Sequence, residues 1–154
     1  MAIERAREYL AACGLLDRIM EFDESSATVE LAAQRIGCAP AHIAKTLSFE
    51  NGDRVILGVF AGDARINNQK FKARFHTKPK MLSAAVAEER IGHAVGGVCP
   101  FGVKEDCDIY LDESLKRFET IYPAAGNAAS AVRMTPEELE GALPTAEWVD
   151  VSRL

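Results

Sequence analysis

Several familiar signatures are missing from this sequence. It contains no G-x-S-x-G elbow, no Walker-type phosphate loop, no G-x-G-x-x-G fingerprint and no H-E-x-x-H pair. Their absence sets aside the motif-bearing serine hydrolases, mononucleotide and dinucleotide binders and zinc proteases. No apolar run reaches the ~18 residues that a membrane-spanning helix needs. The N-terminal stretch MAIERAREYLAACG carries charges in its first turns, unlike the continuous apolar segment of a secretory signal. Cysteine is sparse: Cys13, Cys38, Cys99 and Cys107 form no C-x-x-C. They are expected to be reduced thiols in a cytoplasmic protein, with neither a disulfide framework nor a zinc site. The three histidines, His42, His76 and His93, stand at no metal-ligand spacing. No internal repeat, low-complexity tract or linker divides the chain, so residues 1–154 are expected to form one domain.

What is present is ordinary for a globular protein. Apolar residues make up 48% and charged residues 27% of 154 positions, enough for a substantial core. Apolar periodicity predicts a helix over residues 3–13, closed by Gly14. Thr28 can cap a second helix that ends at Gly37. Two β-rich runs flank Asn51 and Gly52, a strong hairpin signal, with Lys45 near the start of the first run. Helices are expected over residues 66–75 and 83–91. DRIMEF, HAVGGV, DIYL, FETIYP, ASAVRM and EWVDV read as strands. Thr135, Pro136 and Glu138 compose a capping box with proline at the first helical position. This order predicts an α+β fold, with a mixed, mostly antiparallel, β-barrel-like sheet surrounded by helices.

Two regions stand out. Residues 95–102, VGGVCPFG, concentrate three glycines, a proline and a cysteine. Glycine permits close backbone approach and proline fixes φ, so the stretch can grip a ligand with backbone groups. Alternatively Cys99, paired with His93, is a nucleophile, although no third residue is evident to orient such a pair. The second region, residues 64–87, holds six of the 18 basic residues and no acidic one, within a chain of net charge −5. Such a window suits a few phosphates, or simply a solvated helix face. Phe71 and Phe75, at helical spacing within it, read as core anchors.

The ordered set IAKTLSF, VGGVCPFG, DIYL and AGNAASAVRMTPEEL resembles the YbaK/EbsC family, across most of the chain. That family comprises the editing domain of bacterial prolyl-tRNA synthetases and its free-standing relatives. The resemblance implies a mixed β-barrel packed with helices, no cofactor, and hydrolysis of mischarged aminoacyl-tRNA, most often on proline tRNA. A synthetase pocket gains only ~1–3 kcal/mol from one methylene, so a second pocket is needed to remove small wrong amino acids such as Cys, Ala, Ser or Thr.

The resemblance also implies residue roles. Lys45 matches the family's functional lysine in I-x-K-[ST]-L. The G-x-x-x-P loop matches residues 96–100, with Gly96 and Gly97 presenting amides and Val98, Cys99 and Pro100 beside the substrate. Thr28 and Val29 match the wall of the amino-acid pocket. Asn127 and Ser130 stand where polar pocket residues are expected, in a segment that departs from the family pattern. Lys70, Lys72, Arg74 and Lys78 are candidate tRNA phosphate contacts. The acidic remainder implies weak tRNA affinity alone, and hence help from a synthetase or elongation factor. Two other functions compete: a non-catalytic module that binds an aminoacyl end or nucleotide, and a Cys99-dependent hydrolase.

Overall fold

The computed structural model describes residues 2–23, 28–92, 98–126 and 129–154. Its centre is a hairpin, β2 (Ile43–Asn51) and β3 (Arg54–Ala61). Asn51 pairs with Arg54, so Gly52 and Asp53 form a two-residue turn. Gly52 has φ +62°, the left-handed geometry that such a turn needs and glycine supplies without strain. The other strands of the main sheet are β5 (Cys107–Asp112), β6 (Tyr122–Pro123) and β8 (Glu147–Val149). Their order is β6-β2-β3-β5-β8, a mixed sheet curled into a half-barrel. The hairpin is antiparallel and the β2–β6, β3–β5 and β5–β8 pairs are parallel.

Two antiparallel ribbons complete the strands among the described residues: β1 (Ile19–Glu21) with β7 (Ser130–Val132), and β4 (Arg65–Ile66) with β9 (Ser152–Arg153). Among the described residues five α-helices surround them: α1 (Ala2–Ala12), α2 (Val29–Ile36), α3 (Asn68–Phe75), α4 (Ala84–Ile91) and α5 (Pro136–Ala142). The α+β class expected from the sequence is the one observed.

Local chemistry fixes the ends of these elements. The Thr28 hydroxyl accepts from the Leu31 N–H, and Gly37 closes α2 in the left-handed region. Asn67 caps α3, so this helix starts later than its apolar pattern suggests, and residues 65–66 pair as β4 instead. Thr135 and Glu138 form the expected capping box. FETIYP is shorter as a strand than its composition suggests. Phe118 ends a 3-10 turn, and only Tyr122 and Pro123 reach β2. Of EWVDV only Glu147–Val149 form a strand, β8, and β9 starts after it at Ser152. HAVGGV overlaps residues outside those described.

The core lies on both faces of the sheet. Phe49, Phe60, Phe71, Phe101, Leu111, Ile121 and Met134 share one buried cluster. Val55 and Leu57 pack with Leu82, Ala87 and Ile91 in a second. Phe71 is a core anchor as expected, 4.9 Å from the ring of Phe49 and 4.7 Å from that of Phe75. One buried carboxylate organises the end of β5. Asp112 accepts from the Ser114 N–H, the Val151 N–H and the Ser152 hydroxyl. The Ser114 hydroxyl in turn accepts from the Ala61 N–H at the end of β3. Both buried groups are thus hydrogen-bonded, which is the condition for a polar group in an apolar interior.

Candidate active site

A cavity of about 430 Å3 opens beside β2. Residues 43–48 form its floor, and the start of α2 (Thr28, Val29, Ala32) forms one wall. Met81, Leu82, Val98, Tyr122, Ala124, Ser130 and Ala131 complete it. Apolar side chains dominate the lining, and Lys45 is its one charged residue among those described.

Lys45 lies opposite Phe60 in the hairpin register, and its Nζ donates to the Gly62 carbonyl oxygen at 3.3 Å. Burial pulls the pKa of this ammonium below the ordinary lysine range. The charge of Asp63 opposes that shift, Arg65 adds to it, and Glu30 opposes it. Asp63 is held by Arg117 in a two-pronged pair, at 3.1 and 2.5 Å. That bonding keeps the Asp63 carboxyl below its usual range. Gly62 has no room for a side chain: a Cβ would sit 1.9 Å from the Pro40 carbonyl oxygen and 2.9 Å from a Val29 methyl. The absent side chain thus lets the Gly62 backbone, which receives the Lys45 ammonium, approach the α2 end of the cavity wall.

A small apolar chamber with one cation suits a compact substrate whose reacting group gains negative charge. Residues 23–142 match the model of the aminoacyl-tRNA editing domain. The chain belongs to the aminoacyl-tRNA editing domain family. It is 46% identical to "Uncharacterized protein YwhH" of Bacillus subtilis over 99% of this chain and 98% of that one. It is 27% identical to "Putative Cys-tRNA(Pro)/Cys-tRNA(Cys) deacylase EbsC" of Enterococcus faecalis, covering 77% of this chain and 73% of that protein. The structure of "a putative trans-editing enzyme for prolyl tRNA synthetase" superimposes with a TM-score of 0.88 at 27% identity, covering 99% of this chain and 98% of that one.

Within this editing-domain fold, Thr28, Val29, Lys45, Val98 and Ser130 come together on the cavity. The Ser130 hydroxyl accepts from the Ala125 N–H at 3.1 Å. Gly96, Gly97 and Asn127 lie outside the described residues, as does His93. Cys99 and Pro100 are not on the cavity lining. Both are buried, and Cys99 belongs to the main core cluster. Burial pushes the Cys99 thiol up to about 12. The thiolate is the nucleophilic form, so this sulfur is inert at neutral pH and behaves as a small apolar group.

The basic window is partly neutralised within the chain. Lys70 bonds to Asp150 and to the Ser152 carbonyl, at 3.0 and 3.1 Å. Arg74 bonds to Glu147 at 2.6 Å and lies over the rings of Phe75 and Tyr110. Lys72 and Lys78 are exposed and have no carboxylate partner among the described residues. His42 is structural: its Nδ1 meets the Thr120 carbonyl at 3.1 Å and its ring stacks on Phe118.

Sequence reasoning missed Thr46, Ser48 and Tyr122, all of which line the cavity. The signal available for Thr46 was its place next to Lys45, since a cavity that wraps a strand edge can take both neighbours.

Proposed function

We propose that this protein is a trans-editing deacylase that hydrolyses the ester between a small wrong amino acid and the terminal ribose of a tRNA. Cys, Ala, Ser and Thr are the candidate amino acids, with proline tRNA as the carrier. The observation that carries this reading is the small apolar chamber with Lys45 at its wall, in a chain of the editing-domain family.

Water adds to the ester carbonyl carbon. The tetrahedral intermediate then collapses with cleavage of the bond to the ribose oxygen, which takes up the proton that the water gives. Free amino acid and an uncharged tRNA end result. The Lys45 ammonium stabilises the oxyanion, and the amides of Gly96 and Gly97 assist. No protein nucleophile is required, because an aminoacyl ester is already activated. Lys72 and Lys78 are the window's better candidates for phosphate contacts. We place the protein in the cytoplasm as one domain over residues 1–154, weakly assisted by a synthetase or elongation factor. No described helix is long and apolar enough to cross a membrane.

Incubation of substoichiometric protein with Cys-, Ala-, Ser- and Thr-charged proline tRNA tests the reading. Release of many equivalents of one amino acid per protein is expected. Protection of every ester from spontaneous hydrolysis would instead mark a binding module.

A further inference from the structure

The outer edge of β2 is covered at both ends and open in the middle. At one end, Ala44 pairs with Pro123 of β6. At the other, the Leu82 N–H donates to the Ser48 carbonyl and the Glu50 N–H donates to the Lys80 carbonyl. Backbone groups alternate between the two edges of a strand. Ser48 and Glu50 face outward, so the N–H and C=O of Thr46 face outward too. Among the described residues, no hydrogen bond reaches them. The ladder with β6 ends at Pro123, and the Ala125 N–H donates to the Ser130 hydroxyl. The Thr46 side chain repeats the pattern: its Oγ1 is the one buried side-chain polar atom without a partner among the described residues. Thr46 lines the cavity. Three unpaired polar groups on one residue at the wall of a chamber call for a ligand.

Resting on the deacylase reading, we propose that the aminoacyl group binds as a one-residue strand added to Thr46. Its ester carbonyl oxygen accepts from the Thr46 N–H, and its α-ammonium donates to the Thr46 carbonyl. This is the reciprocal bonded pair of an antiparallel ladder. Opposed residues in such a pair put their side chains on the same face of the sheet. The amino-acid side chain therefore lies beside Thr46 Oγ1, on the opposite face from Lys45. A hydroxyl there completes the free Oγ1, whereas a methyl leaves it buried and unpaired. The substrate class assigned by this geometry is a small hydroxyl-bearing amino acid, seryl or threonyl, in preference to alanyl.

Two measurements test the pairing. The first titrates 15N-labelled protein with the non-hydrolysable seryl amide of 3′-amino-3′-deoxyadenosine. The Thr46 amide proton is expected to move downfield, and the analogue lacking the α-amino group to bind ~10-fold more weakly. The second compares seryl and alanyl ester hydrolysis in Thr46→Val and Thr46→Ser. Valine keeps the shape and removes the oxygen, so the seryl preference should fall ~10-fold; serine should retain it. An unmoved Thr46 amide in a saturated complex, or an unchanged seryl-to-alanyl ratio in folded Thr46→Val, overturns the proposal. The deacylase reading fails separately: no ester is hydrolysed, yet the seryl amide still shifts Thr46.

Discussion

The ammonium of Lys45 donates to the carbonyl oxygen of Gly62, and Gly62 is packed so closely on Pro40 and Val29 that it has no space for a methyl group. Gly62→Ala must displace the Pro40 turn or the start of α2. A loss of ~1–3 kcal/mol in stability is expected from such overpacking, read from denaturant unfolding. Because the Gly62 carbonyl holds Lys45, any shift of Gly62 that relieves the clash should lower deacylation further than the unfolded fraction explains.

Lys45 itself trades stability for function. Burial lowers its pKa, so between the folded and unfolded values the unfolded chain binds more protons. Stability from this group therefore rises with pH through that window, and the deficit is complete below the folded pKa. Lys45→Met should raise Tm at neutral pH, with the gain shrinking as pH approaches the ordinary lysine range near ~10.4. A Tm difference that is constant across that range would contradict the assignment.

Cys99 is a packing residue. Cys99→Ala should cost ~1–2 kcal/mol for the cavity it leaves, with deacylation per folded molecule unchanged. Alkylating reagents should leave Cys99 unmodified in the native state, while exposed Cys13 reacts.

Asp112 ties the end of β5 to Ser114, Val151 and Ser152 through three accepted hydrogen bonds, and Ser114 in turn accepts from Ala61 at the end of β3. Asp112→Ala strands the Ser114 and Val151 N–H groups and the Ser152 hydroxyl in the interior. A loss of ~3 kcal/mol or more is expected in chemical denaturation.

Lys72 and Lys78 are free to meet phosphates, whereas Lys70 and Arg74 already have carboxylate partners. Charge reversal at Lys72 or Lys78 should weaken tRNA binding and lower the log–log salt slope by about one each. Truncation of Arg74 should act chiefly on stability. A slope that stays unchanged in the Lys72 and Lys78 variants would remove the window from the tRNA interface.

Local signals in the sequence were the ones that survived into the structure. The hairpin follows from two β-rich runs and a glycine that tolerates positive φ, and the capping box from Thr135 and Glu138. Lys45 was legible because it sits in a distinctive strand motif. What was not legible depends on residues far apart in the chain. The edge at Thr46 lies between the end of the β6 ladder at Ala44 and the Leu82 bond to Ser48, segments far apart in the chain. Lys70 and Arg74 look like free cations until β8 and β9 bring Glu147 and Asp150 beside them. Cys99 reads as a candidate nucleophile in a glycine-rich loop, and only packing places its sulfur in the core.

The decisive comparison is steady-state deacylation by wild type and Lys45→Ala on the ester the wild type prefers, with folding of both checked by circular dichroism. Loss of an oxyanion-stabilising cation should lower kcat by ~100-fold or more with little change in KM. A folded Lys45→Ala protein that turns over at the wild-type rate would contradict the placement of the chemistry in this cavity.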